Sequence, residues 1–350
     1  MKIKRVLLLI LILIVSVPLF AIDRFFMPSP YGIASAFTLS SFYLSPTVGT
    51  YIPAGAFPPA VSFSSVNYSE ESGNFRKRLY NNSIPSSDRN YFRGVSSSMI
   101  VAAHGSFSMY RISLNNVFSV YDNSTESYLL NGFKGTVYGT SYFKRGGGLQ
   151  YGISVKKYSG KFYEGSAKTL DYYRSYKDLI NNFLETRDKV EPKETSFYTI
   201  SGSIMMNVYR FLNLSLKISP INSVKIKNLG KKIETGYEGG MTLLLSRDTT
   251  IDFSLALKKQ KFFLYDNYYT KPIKFSTTHF FSRNSFLTLG WLSDLEGEKL
   301  LSSGAPSTLS AGFGYVLGNK IYLMGSASIS SWNKLSSLNI TIAYISFTPR

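Results

Sequence analysis

The sequence predicts an all-β fold, a transmembrane antiparallel β-barrel of about 14 strands with an N-terminal plug segment and one helical outer loop. Three observations support this prediction. Apolar and polar residues alternate with period two along most of the chain, tight turns recur at a nearly constant interval, and short and long connections fall at opposite ends of the strands. A soluble β-sandwich or propeller also has alternating strands, but it has no reason to separate its loop lengths by end.

A secretory signal is predicted at the start of the chain. Lys2, Lys4 and Arg5 precede an uncharged apolar run from Val6 to Phe20, which is the layout of a signal peptide. We expect residues 1–21 to be removed, and a retained membrane anchor is the alternative. Because no later stretch reaches about 18 consecutive apolar residues, we expect no helical span in the mature chain and place the protein in the outer membrane.

Composition narrows the class of protein further. The 350-residue chain has no Cys, which excludes a disulfide framework, a Cys metal site and a lipid anchor on Cys. Aromatic residues make up 15% and the mean hydropathy is near zero, as expected for strands that are half apolar and half polar. The formal charge is +18. For an exported barrel we expect the lipid bilayer with its anionic headgroups and a small hydrophobic or anionic solute as partners, and no nucleic acid.

A tight turn with a polar or basic centre is the repeating unit. Arg210, Arg247, Arg283 and Asn319 lie at the centres of four such turns and are 37, 36 and 36 residues apart. On both sides of each turn the apolar residues keep period two. Each turn therefore joins two strands into a hairpin with one apolar face, expected to meet lipid, and one face of small or polar residues.

Two earlier turns are predicted at 109–111 and 144–147, and the first leads into Ile112 and Leu114 on the apolar face. The cations in the six turns are expected to form a ring at the inner rim, where the apolar stem lies along lipid and the charge meets phosphate or water. This ring comprises Arg111, Arg145, Arg210, Arg247, Arg283 and Lys320. The alternative is that turns accept any polar residue and Arg is simply frequent in this chain.

Between these turns we predict fourteen strands of about ten residues, and ten residues at a tilt near 40° span about 25 Å. The predicted strands are 59–68, 96–108, 112–121, 133–143, 148–160, 196–208, 212–220, 237–245, 249–260, 272–281, 285–294, 306–316, 321–330 and 336–347. The six turns at one end are only a few residues long, whereas the connections at the other end are mostly long. Short periplasmic turns and longer outer loops are typical of outer-membrane barrels.

Residues 22–58 differ from the barrel predicted over 59–350. They contain six of the 13 Pro residues, and because Pro lacks the N–H that a ladder needs, the segment is expected to lie in the lumen or at its mouth as a plug. The stretch from Gly32 to Phe63, GIASAFTLSSFYLSPTVGTYIPAGAFPPAVSF, resembles in layout the N-terminal plug of the FadL-like long-chain fatty-acid transporters, with SPT at 45–47 where that family has an Asn-Pro-Ala element. The resemblance implies a fourteen-stranded barrel with an N-terminal hatch and long outer loops.

The outer loop predicted at 161–195 is the place with a helical period. Its apolar residues fall at helical spacings, with Thr169 near the start and Pro192 beyond the end. In FadL-like proteins a helical outer loop helps to form a first hydrophobic groove, and the resemblance implies this role for Tyr173, Tyr176, Ile180 and Phe183. A helix that only packs on the barrel mouth is the alternative.

Catalytic chemistry is poorly supported, and we expect no enzyme, no catalytic residue, no cofactor and no metal site. The chain has 2 His. By parity, His104 is expected to face the lumen with Ser108, and His279 to face lipid beside Phe281. Successive residues on one face of a strand are about 6.6 Å apart. This distance is too long for the hydrogen bond that activates a nucleophile.

Four Lys residues are expected to point into the lumen from the outer parts of their strands: Lys156, Lys217, Lys258 and Lys274. Converging ammonium groups favour an anionic solute or a carboxylate headgroup. With His104, these residues form the predicted substrate-binding set of the lumen. The alternative is that Lys ends a strand because water begins there.

Three hypotheses of function follow. The resemblance and the plug imply passive transport of a hydrophobic or amphipathic, fatty-acid-like molecule. The inward Lys residues favour a general porin with a preference for anions. The third hypothesis is a structural or secretion-associated barrel without transport.

Overall fold

A single β-sheet closes on itself to form a barrel. The computed structural model describes residues 34–35, 38–39, 53, 60–71, 91–122, 127–167, 191–261, 269–295, 307–318, 320–330 and 334–345. Within these ranges, fourteen antiparallel strands pair in sequence order around the barrel, and the first strand pairs with the last to close it. The predicted fold class, an all-β barrel of 14 strands, is confirmed.

The strands are numbered in chain order. The barrel strands are β1 (Ala60–Glu71), β2 (Tyr91–His104), β3 (Phe107–Asp122), β4 (Ser127–Gly146), β5 (Leu149–Ala167), β6 (Glu191–Tyr209), β7 (Leu212–Ile218), β10 (Tyr237–Leu244), β11 (Thr249–Ala256), β14 (Pro272–Ser282), β15 (Ser285–Asp294), β16 (Thr308–Leu317), β17 (Ile321–Ser330) and β18 (Lys334–Ile345). Two short hairpins lie outside the barrel sheet: β8 (Val224–Ile226) with β9 (Lys231–Ile233), and β12 (Gln260–Lys261) with β13 (Tyr269–Thr270).

Side chains alternate between two environments along the barrel strands. On β16, Leu309 and Phe313 are 62% and 50% exposed, whereas Thr308 and Ser310, on either side of Leu309, are buried. The same alternation places exposed apolar side chains on strands all around the outer surface; examples are Val61, Ile100, Ile153, Ile204, Phe275, Leu289, Leu323 and Ile342. A closed sheet has no edge strands, so its backbone polar groups are all paired within the sheet. Together with an apolar outer surface, this is what the hydrocarbon core of a membrane requires.

The turn between β2 and β3 lies at 105–106 and not at 109–111, so that prediction is wrong. Gly105 has a φ of 58°, which lets the chain reverse directly between His104 and Phe107. Arg111 therefore lies inside β3 and does not belong to a ring of turn residues. The turn after β4 uses Gly147 and Gly148, and Arg145 lies inside that strand, one residue before its end at Gly146.

The other four basic residues lie at the inner rim as predicted, exposed in the turns or bends that join consecutive strands: Arg210, Arg247, Arg283 and Lys320. A second correction concerns Ile112 and Leu114 of β3, which are 0% and 3% exposed and face the lumen. They were predicted on the lipid-facing side because an apolar stripe was taken to be outward. The inner face of β3 carries apolar side chains here, and its residues keep alternating between the two faces without the break that was predicted near Arg111.

The strands beside the long outer loop are longer than predicted. β5 continues to Ala167 and β6 begins at Glu191, so the connection covers 168–190 and not 161–195. The connection, with the predicted groove residues Tyr173, Tyr176, Ile180 and Phe183, lies outside the described residues, and so does the predicted signal at 1–21. Both stay predictions. In the described part of the chain, no helix is long and apolar enough to cross a membrane.

Candidate functional site

The lumen contains a polar wall, formed by inward residues of β7, β10, β11, β14, β15 and β16. Its centre is an ion pair between Lys274 and Glu238, which are 3% and 2% exposed in their side chains. Ser254 of the intervening strand donates a hydrogen bond to the same carboxylate at 2.8 Å. Lys217 is buried directly across the β7–β10 ladder from Glu238. A buried carboxylate needs such partners, because its desolvation is otherwise strongly unfavourable.

Hydroxyl groups extend this polar wall toward the inner rim. Thr242 donates to Asp252 at 2.5 Å, and the hydroxyls of Thr278 and Thr288 are 3.0 Å apart. All four residues are buried. Thr is suited to this position because it is β-branched and favours a strand, while its hydroxyl can both donate and accept inside the lumen.

Residues from the N-terminal segment contact the inner surface of the barrel. The hydroxyls of Thr38 and Ser276 are 2.8 Å apart, and both residues are buried. Ser215 donates to the carbonyl of Leu39 at 3.1 Å, and Ser310 donates to that of Ala34 at 3.1 Å. These hydroxyls replace the backbone partners that an irregular segment lacks in a dry interior.

Two inward glycines let this segment approach the sheet. A Cβ on Gly240 would lie 2.8 Å from the Cβ of Leu39, and a Cβ on Gly312 would lie 2.5 Å from that of Ala34. Both distances are shorter than side-chain packing allows. Ala34, Ser35, Thr38 and Leu39 are thus held inside the barrel; the rest of the predicted plug, apart from Pro53, lies outside the described residues.

An apolar wall, formed by inward residues of β2 to β6, lies on the opposite side of the lumen. Tyr158 and Phe197 stack with their ring centroids 4.7 Å apart and their planes 8° apart. The buried apolar side chains of this wall are Met99, Val101, Tyr110, Ile112, Leu114, Phe133, Val137, Tyr158, Phe162, Phe197 and Met205. Offset aromatic stacking adds to the free energy of burying these rings.

Glycine lets one of these rings lie flat against the sheet. A Cβ on Gly139 of β4 would lie 2.1 Å from the Cζ of Tyr110, its cross-strand neighbour on β3. The hydroxyl of Tyr110 reaches further, to 3.0 Å from that of Ser154 on β5. The Tyr110 ring therefore lies against the backbone of β4, in the space that a side chain at position 139 would fill.

The outer end of the apolar wall carries a charged contact. Lys231 of β9 forms an ion pair with Glu164 of β5, and its ammonium lies 5.5 Å from the centroid of the Phe162 ring. Asn228, in the 3-10 helix between β8 and β9, donates to the carbonyl of Glu194 on β6 at 3.2 Å. The β8–β9 hairpin is thereby attached to the outer ends of β5 and β6.

The structure separates the five residues predicted to bind substrate. Lys156, Lys217 and Lys274 are 1%, 4% and 2% exposed and face inward, as their parity predicts. Lys258 is exposed in the bend after β11 and does not join them, because that strand ends at Ala256.

The prediction that His104 faces the lumen is wrong. This residue is exposed and lies on the same side of β2 as Ile100, four residues earlier, whereas Ser108, which was expected beside it, belongs to β3 beyond the turn at 105–106. His104 borders an apolar groove of about 500 Å³ at the inner rim, which is lined in addition by Val61, Phe107 and Tyr344.

Glu238 and Asp252 were missed in reading the sequence. Each is the acidic residue at an inward position of an alternating strand. That inward position could have indicated a buried carboxylate with a partner in the lumen. Among the described residues, no group of three or more His, Asp or Glu side chains is arranged to hold a metal ion. The lumen presents an apolar surface opposite a hydrogen-bonded polar one.

Known proteins resemble this chain in their three-dimensional structure. No protein-family model and no curated protein matches the sequence. Among solved structures, the CymD monoaromatic hydrocarbon channel is similar over 94% of this chain and 99% of its own, with a TM-score of 0.56 and 10% sequence identity. The barrel has the fold of the FadL-type channels. A Pseudomonas aeruginosa FadL homologue (TM-score 0.56, 9% identity, 92% of this chain and 99% of that chain) is similar to the same degree.

A TodX deltaS2S3 mutant monoaromatic hydrocarbon channel also has a TM-score of 0.56, at 9% identity over 91% of this chain and 99% of that chain. The FadL-like resemblance noted in the N-terminal segment is thus matched at the level of the whole barrel. At these identities the similarity establishes the fold, and any role in transport must be argued from the lumen of this chain.

Proposed function

We propose that this protein is an outer-membrane channel that passes small hydrophobic or amphipathic molecules, with fatty-acid-like compounds as the substrate class. The apolar wall of β2 to β6 is the observation that supports this most directly. Inward residues of a water-filled pore are expected to be polar, whereas this wall carries stacked aromatic rings such as Tyr158 and Phe197. Similar solved structures are described as monoaromatic hydrocarbon channels, which supports a hydrophobic solute.

The route we propose runs between the apolar wall and the N-terminal residues that the polar wall holds. Hydrogen bonds fix Ala34, Thr38 and Leu39 to the opposite side of the barrel, so we place the route of an apolar solute along the apolar wall, whose side chains are buried in this structure. An apolar molecule gains free energy there by leaving water, at about 25 cal/mol for each Å² buried.

Lys156 supports an amphipathic substrate in particular. Its side chain is 1% exposed and lies one position from the Tyr158 ring on the inward face of β5. A cation within an apolar wall favours a molecule that carries a carboxylate at one end of an apolar body.

Uptake by whole cells tests the proposal, with the full-length chain expressed in a bacterial host that lacks its own channel for hydrophobic solutes. We expect radiolabelled oleate to enter faster than in vector controls. Phe197→Ser replaces half of the stacked pair and is expected to lower the rate several-fold. Tyr151→Ser is the matched control, because Tyr151 is an outward residue of β5, 43% exposed.

The amount of folded barrel in each strain is measured by its heat-modifiable mobility on a gel, so that uptake is compared per folded molecule. Equal rates for the inward and outward variants, or a wild-type rate no higher than the vector control, would contradict the proposal. The two alternatives have their own signatures: a general porin gives a steady anion-selective current in planar bilayers, and a structural barrel co-purifies with a stoichiometric partner.

A further inference from the structure

Four cations project from the outer surface of β3, β4 and β5 toward the outer end of the barrel. Lys134, Lys157 and Lys161 are exposed and follow the outward parity of their strands. Arg111 of β3 reaches the same area, because its guanidinium carbon lies 5.8 Å from the centroid of the Tyr138 ring on β4. These four cations are called the outer-wall cationic cluster below.

Strand register brings the cluster together. Lys134 of β4 lies directly opposite Lys161 of β5, and Tyr138 lies directly opposite Lys157. The ammonium of Lys157 is 5.7 Å from the centroid of the Tyr198 ring on β6. Cations and aromatic rings therefore alternate across neighbouring strands.

A row of hydroxyl groups lies between the Lys134–Lys161 pair and Lys157. Thr136 of β4 pairs with Ser159 of β5, and Ser159 pairs with Ser196 of β6. These three residues lie on the same outward face as the cations. The cluster thus presents both positive charge and hydrogen-bond donors toward the surroundings of the barrel.

The position of the cluster along the strands corresponds to the boundary of an apolar layer. Below it on β5, the outward residues Leu149, Tyr151, Ile153 and Val155 are apolar or aromatic and exposed. From Leu149 to Lys157 the chain advances about 20 Å along the barrel axis, given a rise of about 3.3 Å per residue and a tilt near 40°. That is close to the height of the lipid-facing band of such barrels, so the cluster lies at the level of lipid headgroups.

Among the residues whose side chains the structure describes, nearby carboxylates do not balance this charge. The described ion pairs join other residues, and none links Lys134 or Lys161 to a described carboxylate. Glu194 lies opposite Lys161 in the β5–β6 ladder and is a single acid against four cations. Like charges directly opposite each other in a ladder are destabilising, so a counter-charge from outside the chain would stabilise Lys134 and Lys161 together.

We propose that the outer-wall cationic cluster binds a lipid headgroup that carries phosphate and a net negative charge, in the outer leaflet of the membrane. The cations would contact phosphate oxygens, the hydroxyl row would donate to the same headgroup, and the acyl chains would lie along the apolar residues below. This inference rests on the proposed location in the outer membrane, and it is independent of what passes through the lumen.

Lipid retention tests the inference. The purified full-length chain in nonionic detergent is titrated with bis-phosphorylated lipid A or with phosphatidylcholine, and bound lipid is counted by native mass spectrometry. We expect preferential retention of lipid A by the wild type. The triple variant Lys134→Gln, Lys157→Gln and Lys161→Gln should weaken that retention by at least about tenfold, since each cation near a charged surface adds to the attraction.

A matched variant separates a specific site from general attraction. Lys225, Lys227 and Lys232 are exposed cations of the β8–β9 hairpin, and replacing all three by Gln changes the net charge by the same amount. We expect lipid A retention to be unchanged in this control. Replacing the three cluster lysines by Arg should preserve retention, and heat-modifiable mobility shows that each variant is folded.

Three results would overturn the inference. Equal losses in the two Gln triples would show that only net charge matters. Equal retention of lipid A and phosphatidylcholine by the wild type would show that the cluster does not select a headgroup with net negative charge, because phosphatidylcholine carries a phosphate but no net charge. Displacement of lipid A by inorganic phosphate at equal concentration would show a site for a free anion. None of these results changes the oleate uptake expected for Phe197→Ser, so the two proposals fail separately.

Discussion

The polar wall and the apolar wall of the lumen are built from the same kind of alternating strand, yet the interactions between their side chains differ. Across the polar wall, Glu238 and Lys274 form a buried ion pair, and hydroxyl groups fix the N-terminal residues through hydrogen bonds. On the apolar wall, rings such as Tyr158 and Phe197 pack without directional partners. Directional bonds select one arrangement of a protein segment, whereas an apolar surface accepts many shapes of similar size.

The largest effect is expected when the ion pair of the polar wall is broken. Glu238→Ala leaves Lys274 buried without that carboxylate, and we expect the free energy of unfolding to fall by about 3–5 kcal/mol. Urea titration of the barrel in lipid vesicles measures this change. The double variant Glu238→Gln with Lys274→Met should lose less, because both charges of the pair are removed and only Lys217 across the ladder keeps its charge; an equal loss in both variants would show that packing and not the pair holds this wall.

A smaller effect is expected when a side chain is added beneath the Tyr110 ring of the apolar wall. Gly139→Ala places a Cβ where the Tyr110 ring now lies, so the ring must move, and we expect a loss of about 1–3 kcal/mol in the free energy of unfolding. Gly146→Ala is the control, because a Cβ there meets no atom within 4 Å. Unfolding in urea distinguishes the two. Similar stabilities would mean that the ring on the apolar wall is free to shift.

The cation within the apolar wall is expected to act on substrate choice and not on the fold. If Lys156 contacts a carboxylate, Lys156→Gln should slow oleate uptake by about tenfold, since a hydrogen bond to a charged group is worth about 1.5 kcal/mol or more. Uptake of methyl oleate, which has no charge, should not change. A parallel decrease for both compounds would assign Lys156 a structural role in the wall.

The smallest effect is expected for hydroxyl pairs of the polar wall that do not touch the N-terminal residues. Replacing Thr278 and Thr288 together by Val removes both partners of one hydrogen bond and keeps the shape of the side chains. We expect the free energy of unfolding to change by less than about 1 kcal/mol, because no polar group is left unpaired. A larger loss, again in urea, would show that the hydroxyl network is cooperative beyond this pair.

Much of the strand layout was predictable from the sequence, and the reason is local. The strand predicted at 285–294 is β15 and that at 321–330 is β17, with the same bounds, because a tight turn precedes each of them and period-two alternation needs no knowledge of the rest of the fold. The β2–β3 turn was misplaced for a local reason too. Gly105 was overlooked because a parity change was sought near Arg111, where the alternation continues unbroken.

The inner face was predictable only in part. Parity identified Lys156, Lys217 and Lys274 as inward, since side chains two residues apart share a face wherever the strand is regular. It failed for Lys258, which lies beyond the end of its strand, and for His104, which lies next to a turn. Strand ends are set by pairing with neighbours, and a single-strand pattern does not contain that information.

The sequence by itself therefore determined the period of the strands, the short turns at the inner rim and the excess of positive charge. Only the tertiary structure decided which residues meet. Glu238 is 36 residues from Lys274, and Thr38 is 238 residues from Ser276. The pairing of Lys134 with Lys161 likewise depends on the β4–β5 register. Alternation assigns a side chain to one of two faces, but closure of the sheet and its register bring distant strands together, and those are properties of the whole barrel.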